Sequence, residues 1–208
     1  MNTKSSFPNQ QEGRSSVVAQ ATSYGNGAPA HNHPRIRSIP TKYKSDMMRS
    51  RLETRWAKIF DLLGIEYYYE PEIYRCGGIN YLPDFYLPQQ NIYFEVKGIM
   101  TPIDARKITA LAEGTGRNVV IGYPNGTLQL VDMVSYDDNI DSNEKDPAHK
   151  AWWVDKADST FAKCSQCHKW HFHNEIMAWN CRICGTWDKH WPEGFHQGND
   201  NLFEEYDV

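Results

Sequence analysis

Residues 81–98 read YLPDFYLPQQNIYFEVKG, and this stretch decides the fold. Residues 81–87 and 92–97 are rich in aromatic and β-branched side chains, and the link Pro88-Gln89-Gln90-Asn91 between them is short. That pattern predicts a β-hairpin. Pro83 cannot donate to a sheet ladder, so it places the first strand at an edge or on a bulge. Alternation along the second strand puts Tyr93, Glu95 and Lys97 on one face, while Ile92, Phe94 and Val96 turn the other way to pack beneath helices. Asp84 lies on the partner strand, near Glu95. Two carboxylates at close range repel unless a cation sits between them. Hard oxygen ligands with few protein contacts suit Mg²⁺. Lys97 beside such an ion would orient or deprotonate an attacking water and stabilise developing negative charge.

The flanking sequence supplies the rest of an α/β domain. Ser45-Asp46 forms an expected helix cap, followed by Met48, Leu52, Trp56, Ile59, Phe60 and Leu63 at helical spacing and by Gly64 as the C-terminal stop. Residues 65–70 form an aromatic strand ended by Pro71. Thr101-Pro102 opens a second helix carrying Ile103, Ile108, Leu111 and Ala112, which stops at Gly114 or Gly116. Residues 118–122 and 127–131 form two further strands, paired across Pro124-Asn125-Gly126. The order of helix, three strands, helix and two strands predicts a mixed sheet flanked by helices over residues 45–133.

Pro83-Asp84, followed after ten residues by Glu95-Val96-Lys97, resembles the signature of the PD-(D/E)xK nuclease superfamily. Glu53, on the first helix, matches the glutamate that many members carry before the sheet. The resemblance covers roughly residues 45–130 and implies a restriction-endonuclease-like fold. It implies that Asp84 and Glu95, with the Val96 carbonyl, bind Mg²⁺ or Mn²⁺. Lys97 would position the water that attacks the scissile phosphate, and Glu53 would hold the metal through water or bind a second ion. Arg106 and Lys107 on the second helix read either as contacts to a phosphate backbone or as solvated charges, and so do Arg49 and Arg51. Arg55 carries no assignment.

Four of the five cysteines form one pattern. Cys164-x-x-Cys167 and Cys181-x-x-Cys184, thirteen residues apart, would supply four thiolates to a tetrahedral Zn²⁺. The pattern resembles a zinc ribbon whose metal is structural, since so small a module builds little core of its own. A redox dithiol is the alternative. His168, His171 and His173 follow the first knuckle, where surface or supporting roles are expected. Trp170, Trp179, Trp187 and Trp191 fill the small core or stack on bases. Cys76 is left over as a half-buried free thiol.

The net charge of -4 over 208 residues hides a gradient: residues 1–45 carry +5, residues 46–133 carry -2 and residues 134–208 carry -7. Residues 1–44, polar and Pro/Gly-rich, are expected as a disordered basic arm. Residues 134–150 are expected as an acidic linker and residues 151–208 as a separate zinc-ribbon module with an acidic tail. The chain has no apolar run of membrane-spanning length, and no apolar stretch follows Lys4, so the expectation is a cytoplasmic protein. The function expected is hydrolysis of DNA phosphodiester bonds by a metal-dependent endonuclease, with a protein partner as a second use of the ribbon. The alternative is a non-catalytic nucleic-acid- or protein-binding adaptor that uses the ribbon.

Overall fold

The stripe of Trp56, Ile59, Phe60 and Leu63 folds as a helix because its ends are chemically marked. In the computed structural model, which describes residues 38–76, 78–133, 151–154, 159–174 and 180–187, that helix runs Arg51–Leu63 (α1). The Ser50 hydroxyl accepts from the Glu53 amide, and Gly64, at φ 64°, donates back to the last turn. The expected start at Ser45-Asp46 is corrected. A short hairpin, Thr41–Tyr43 (β1) with Asp46–Met48 (β2), precedes the helix and turns through Lys44 at φ 52°. Met48 is therefore a strand residue, though it is fully buried as its apolar stripe predicted. The proposed basic arm loses its last residues to β1, and residues 1–37 lie outside the described residues.

The strand expected over residues 81–87 is two strands in different sheets. Tyr74–Cys76 (β4) pairs with Ile79–Tyr81 (β5), whereas Tyr68–Tyr69 (β3) pairs with Phe85–Leu87 (β6). Pro83 lies in the break, where its missing N–H costs no ladder bond. The main sheet continues through Ile92–Val96 (β7), Val119–Gly122 (β8), Leu128–Asp132 (β9) and Trp152–Trp153 (β10). Its order is β10-β9-β8-β7-β6-β3, and the β7–β8 pair alone among these is parallel. The crossover between those two strands is the second helix, Pro102–Thr115 (α2). Thr101 and Asp104 form a reciprocal capping box at its start, and Gly116, at φ 63°, ends it. Gly114 lies inside the helix instead, where Cys76 leaves no room for a side chain.

Each helix covers one face of this mixed sheet. Trp56 and Phe60 of α1 meet Phe94 with ring centroids 4.9 Å apart, alongside Phe85, Val96, Val120 and Leu130. Ile108, Leu111 and Ala112 of α2 pack on Tyr93, Val119, Ile121 and Val131. Every residue of β7 is consequently buried, Glu95 included.

The C-terminal segment shares this core. The hairpin Ser159–Lys163 (β11) with Trp170–Asn174 (β12) brings Phe161 to 6.2 Å from Phe60 and 6.3 Å from Phe94. The Phe172 amide donates to Gln90 Oε1 at 2.7 Å, and Val154 donates to Leu130 at 2.9 Å. The change of composition at residue 151 is thus not a packing boundary. The expected acidic linker at 134–150, Trp179, Trp191 and the acidic tail lie outside the described residues.

Two substitutions test this packing. A Cβ at Gly122 would stand 2.5 Å from Phe94 Cζ and 2.6 Å from Trp56 Cε2, so Gly122→Ala is expected to destabilise the protein by about 2–3 kcal/mol. Gly98→Ala, with no atom within 4 Å, serves as the control in urea denaturation. Phe161→Ala is expected to cost about 3–5 kcal/mol and to lower the main unfolding transition followed by far-UV circular dichroism. A separate low-temperature transition with the main one unmoved would mean that the hairpin folds independently.

Candidate active site and cysteine metal centre

Pairing Phe85 with Phe94 sets Asp84 opposite Glu95, one position beyond the end of β6. The two carboxylates share a compact network. The Asp84 amide donates to Glu95 Oε1 at 3.2 Å, and the Val96 amide donates to Asp84 Oδ2 at 2.7 Å. Lys97 Nζ lies 2.9 Å from Glu95 Oε2 and 3.7 Å from Asp84 Oδ2. Asp84, Glu95, Val96 and Lys97, all singled out in the sequence, therefore converge on one point. Val96 takes part through its amide.

Glu53 sits beside this cluster and is occupied by the start of α1. Its carboxylate accepts from the Arg49 amide at 3.0 Å, the Ser50 hydroxyl at 2.9 Å and the Tyr69 hydroxyl at 2.8 Å. Arg49 stands between Glu53 and Asp84: its guanidinium donates to Asp84 Oδ1, and its Nε lies 2.7 Å from Glu70. Of the arginines noted near the first helix, Arg49 reaches the site. Tyr81 is a member that the sequence reading missed. Its hydroxyl donates to Glu95 Oε2, a placement that depends on the strand interruption around Pro83 between β5 and β6. Glu70 was missed as well; its backbone, at φ 45°, is held by the hydrogen bond that its N–H donates to the Asp84 carbonyl at 2.9 Å.

Burial sets the electrostatics. Asp84 is pushed up to about 7 by its removal from water and by the neighbouring Glu95 charge, with Lys97 and Arg49 acting in opposition. For Lys97, burial favours the neutral amine, but the Glu95 and Asp84 charges outweigh it and hold the ammonium above its ordinary value. Burial and the Glu95 carboxylate push the Tyr81 hydroxyl far up, which keeps it a donor to Glu95. The donor set, two buried carboxylates held rigidly by backbone amides, fits a hard divalent ion that keeps several waters.

The second centre is built from two copies of one turn. In the first, Cys164 N–H donates to the Lys169 carbonyl and His168 N–H to the Cys164 carbonyl, both at 3.0 Å. In the second, Cys181 N–H donates to the Thr186 carbonyl at 2.9 Å and Gly185 N–H to the Cys181 carbonyl at 2.8 Å. His168, at φ 56°, and Gly185, at φ 72°, occupy the matching left-handed position. The four sulfurs of Cys164, Cys167, Cys181 and Cys184 all lie within 4.8 Å of one another. The Cys164–Cys184 and Cys167–Cys181 distances are 3.8 and 3.7 Å. A tetrahedron with metal–sulfur bonds of about 2.3 Å has edges of about 3.8 Å, whereas a disulfide needs about 2.05 Å. The cluster could therefore hold a metal ion such as zinc. Hydrogen bonding to Thr186 brings the exposed Cys184 thiol down to about 6, while burial pushes Cys181 up to about 12. His171 and His173 are buried on β12 rather than at the surface, and Cys76 is a buried thiol against Gly114 rather than a half-exposed one.

Comparison with protein-family models, with curated proteins and with solved structures gives no match. Among the described residues no helix is long and apolar enough to cross a membrane.

The shared core yields a prediction for the cysteine centre. Cys167→Ser, or chelation of a metal bound there, is expected to lower the melting temperature of the main transition, because Phe161 and Phe172 couple the hairpin to the sheet. Metal uptake by the reduced protein is expected to release protons, measurable by titration in weak buffer, because thiols must ionise to ligate. Full metal loading with no proton release would exclude thiolate ligation.

Proposed function

We propose that this chain is a metal-dependent nuclease of the PD-(D/E)xK type that hydrolyses DNA phosphodiester bonds on a restriction-endonuclease-like core. The observation that carries this reading is the convergence of Asp84, Glu95 and Lys97, within 3.7 Å, on a buried strand end. Folding gains nothing from pairing two carboxylates out of water, so their juxtaposition favours a role in binding a cation. The α2 crossover between parallel strands supports the fold assignment.

Mg²⁺ or Mn²⁺ held by Asp84 and Glu95 would supply Lewis acidity toward the phosphate and toward the attacking water. The protein supplies the geometry. The Val96 and Asp84 amides fix the two carboxylates, and Tyr81 orients Glu95. Lys97, held as an ammonium by its neighbours, donates to the attacking water or to the phosphate oxygen where negative charge develops. It orients and stabilises rather than removing a proton. Zn²⁺ at the four cysteines has a structural role and braces the hairpin that closes the α1 face.

The test is cleavage of linear and circular DNA, single- and double-stranded, in Mg²⁺, Mn²⁺ or EDTA. Lys97→Ala is expected to lose activity by about 10²–10³-fold or more with its fold intact. Cutting at equal rates by wild type and Lys97→Ala would remove Lys97 from the mechanism. DNA binding without cutting in any metal would favour the adaptor.

A pH dependence follows from Asp84. Its folded value, about 7, lies above its ordinary 3.8, so the folded chain holds this proton more tightly than the unfolded chain does. The resulting stabilisation is complete below about pH 4 and is lost as pH rises through 7. Metal-free protein is expected to melt at a lower temperature at pH 8 than at pH 6, and Asp84→Asn is expected to reduce that difference. Mg²⁺ affinity is expected to rise over the same interval, since proton and metal compete for one carboxylate. A pH-independent Mg²⁺ affinity would contradict the assignment.

A further inference from the structure

Protein donors already meet both carboxylates of the site. Asp84 takes the Arg49 guanidinium on Oδ1 and the Val96 amide on Oδ2, with Lys97 3.7 Å from the latter. Glu95 takes the Asp84 amide on Oε1, and the Tyr81 hydroxyl and Lys97 on Oε2. Asp84 Oδ1 and Glu95 Oε1 each accept a single donor and keep lone pairs for an ion, but a divalent ion there would repel the cations already beside it, so one of those cations is the group to give way. The two amides belong to the chain at the strand ends and are immobile. Tyr81 is held within β5, and the Lys97 side chain is only 16% exposed. The Arg49 side chain is 49% exposed, and a cation there is the natural group to exchange for another cation.

The main chain at Arg49 is anchored while its side chain reaches outward. Its amide meets both Glu53 Oε2 at 3.0 Å and the Tyr69 hydroxyl at 2.9 Å, and Tyr69 donates in turn to Glu53 at 2.8 Å. Glu53 is itself fixed by the helix cap through Ser50. The main chain thus offers a fixed pivot for the guanidinium. Glu70, 2.7 Å from Nε, would hold it beside the site if it left Asp84.

We propose that Arg49 is an exchangeable cation of the active site, one that neutralises Asp84 until a divalent ion binds and then turns on its anchored main chain to grip a backbone phosphate of the DNA. The inference rests on the nuclease reading of this site. It makes Glu53 a positioning residue, acting through the Arg49 amide. It also couples metal binding to substrate binding, because the ion releases the group that holds the phosphate. A guanidinium suits that second task, since its planar fork matches phosphate oxygens.

The test uses the full chain, loaded with zinc, and reads metal binding without DNA. Free Mn²⁺ is followed by electron paramagnetic resonance, with Asp84→Asn defining the site. Arg49→Met is expected to bind Mn²⁺ about tenfold or more tightly than wild type, because a competing charge-assisted hydrogen bond is gone. Arg49→Lys is expected to stay near wild type. Arg49→Gln takes the place of Arg49→Met if the latter loses its native circular dichroism spectrum.

DNA affinity is then measured against salt, in Ca²⁺ and in buffer with no added divalent ion, which leaves the zinc in place. In Ca²⁺ the slope of log K on log salt is expected to fall by about one in Arg49→Met, as for the loss of one phosphate contact. With no added divalent ion, where Arg49 remains on Asp84, the slopes are expected to match. Unchanged or weaker Mn²⁺ binding by Arg49→Met, at a site that Asp84→Asn abolishes, would overturn the exchange and leave the nuclease reading intact. So would equal salt slopes in Ca²⁺. A wild-type protein with no Asp84-dependent Mn²⁺ site would overturn the nuclease reading and the exchange together.

Discussion

Asp84 and Glu95 face each other across neighbouring strands at a point that water scarcely reaches, and the surrounding structure answers the electrostatic demand this creates. Two adjacent carboxylates at low dielectric repel strongly, and each loses hydration as well. The chain compensates with two backbone amides, one hydroxyl and two cations, drawn from the β2–α1 link, β5 and both ends of the central hairpin. These donors come from distant parts of the sequence, so the site exists only when the sheet, the first helix and the small β4–β5 hairpin are assembled.

A second dependence runs through the aromatic core. Trp56, Phe60 and Phe94 form a cluster into which Phe161 is set from the C-terminal hairpin. The cysteine turns lie beside that hairpin: Cys164 follows β11 directly, and the first knuckle connects it to β12. Order in the thiol cluster and order in the main sheet therefore support each other. The two near-identical turns hold their cysteine sulfurs at tetrahedral spacing, with amides of Gln166, Cys167 and Ile183 pointing at sulfur.

Much of this was legible in the chain because it is encoded locally. The apolar stripe from Leu52 to Leu63, the helix start at Thr101-Pro102, the alternation of Ile92, Phe94 and Val96 and the paired Cys-x-x-Cys spacing each follow from a short-range periodicity or valence. The errors share a cause. Ser45-Asp46 has the composition of a helix cap, but Lys44 turns left-handed and commits the segment to a hairpin, so the cap falls to Ser50. Residues 81–87 look continuous, but Pro83 lets Tyr81 pair with Tyr74 while Phe85 pairs with Tyr69. In both places two local patterns competed, and strand pairing decided between them.

The sequence by itself determined the alternation of helices with a mixed sheet, the carboxylate and lysine positions on one hairpin, and a four-thiol set of metal-binding spacing. Only the tertiary structure decided that Arg49, Glu70 and Tyr81 surround those carboxylates, that Glu53 grips a backbone amide, and that the cysteine-bearing hairpin shares the main core. The reason is physical. Periodicity and ligand spacing are properties of neighbouring residues, whereas the neutralisation of a buried charge and the filling of an aromatic core depend on which remote segments the folded chain brings within a few ångströms.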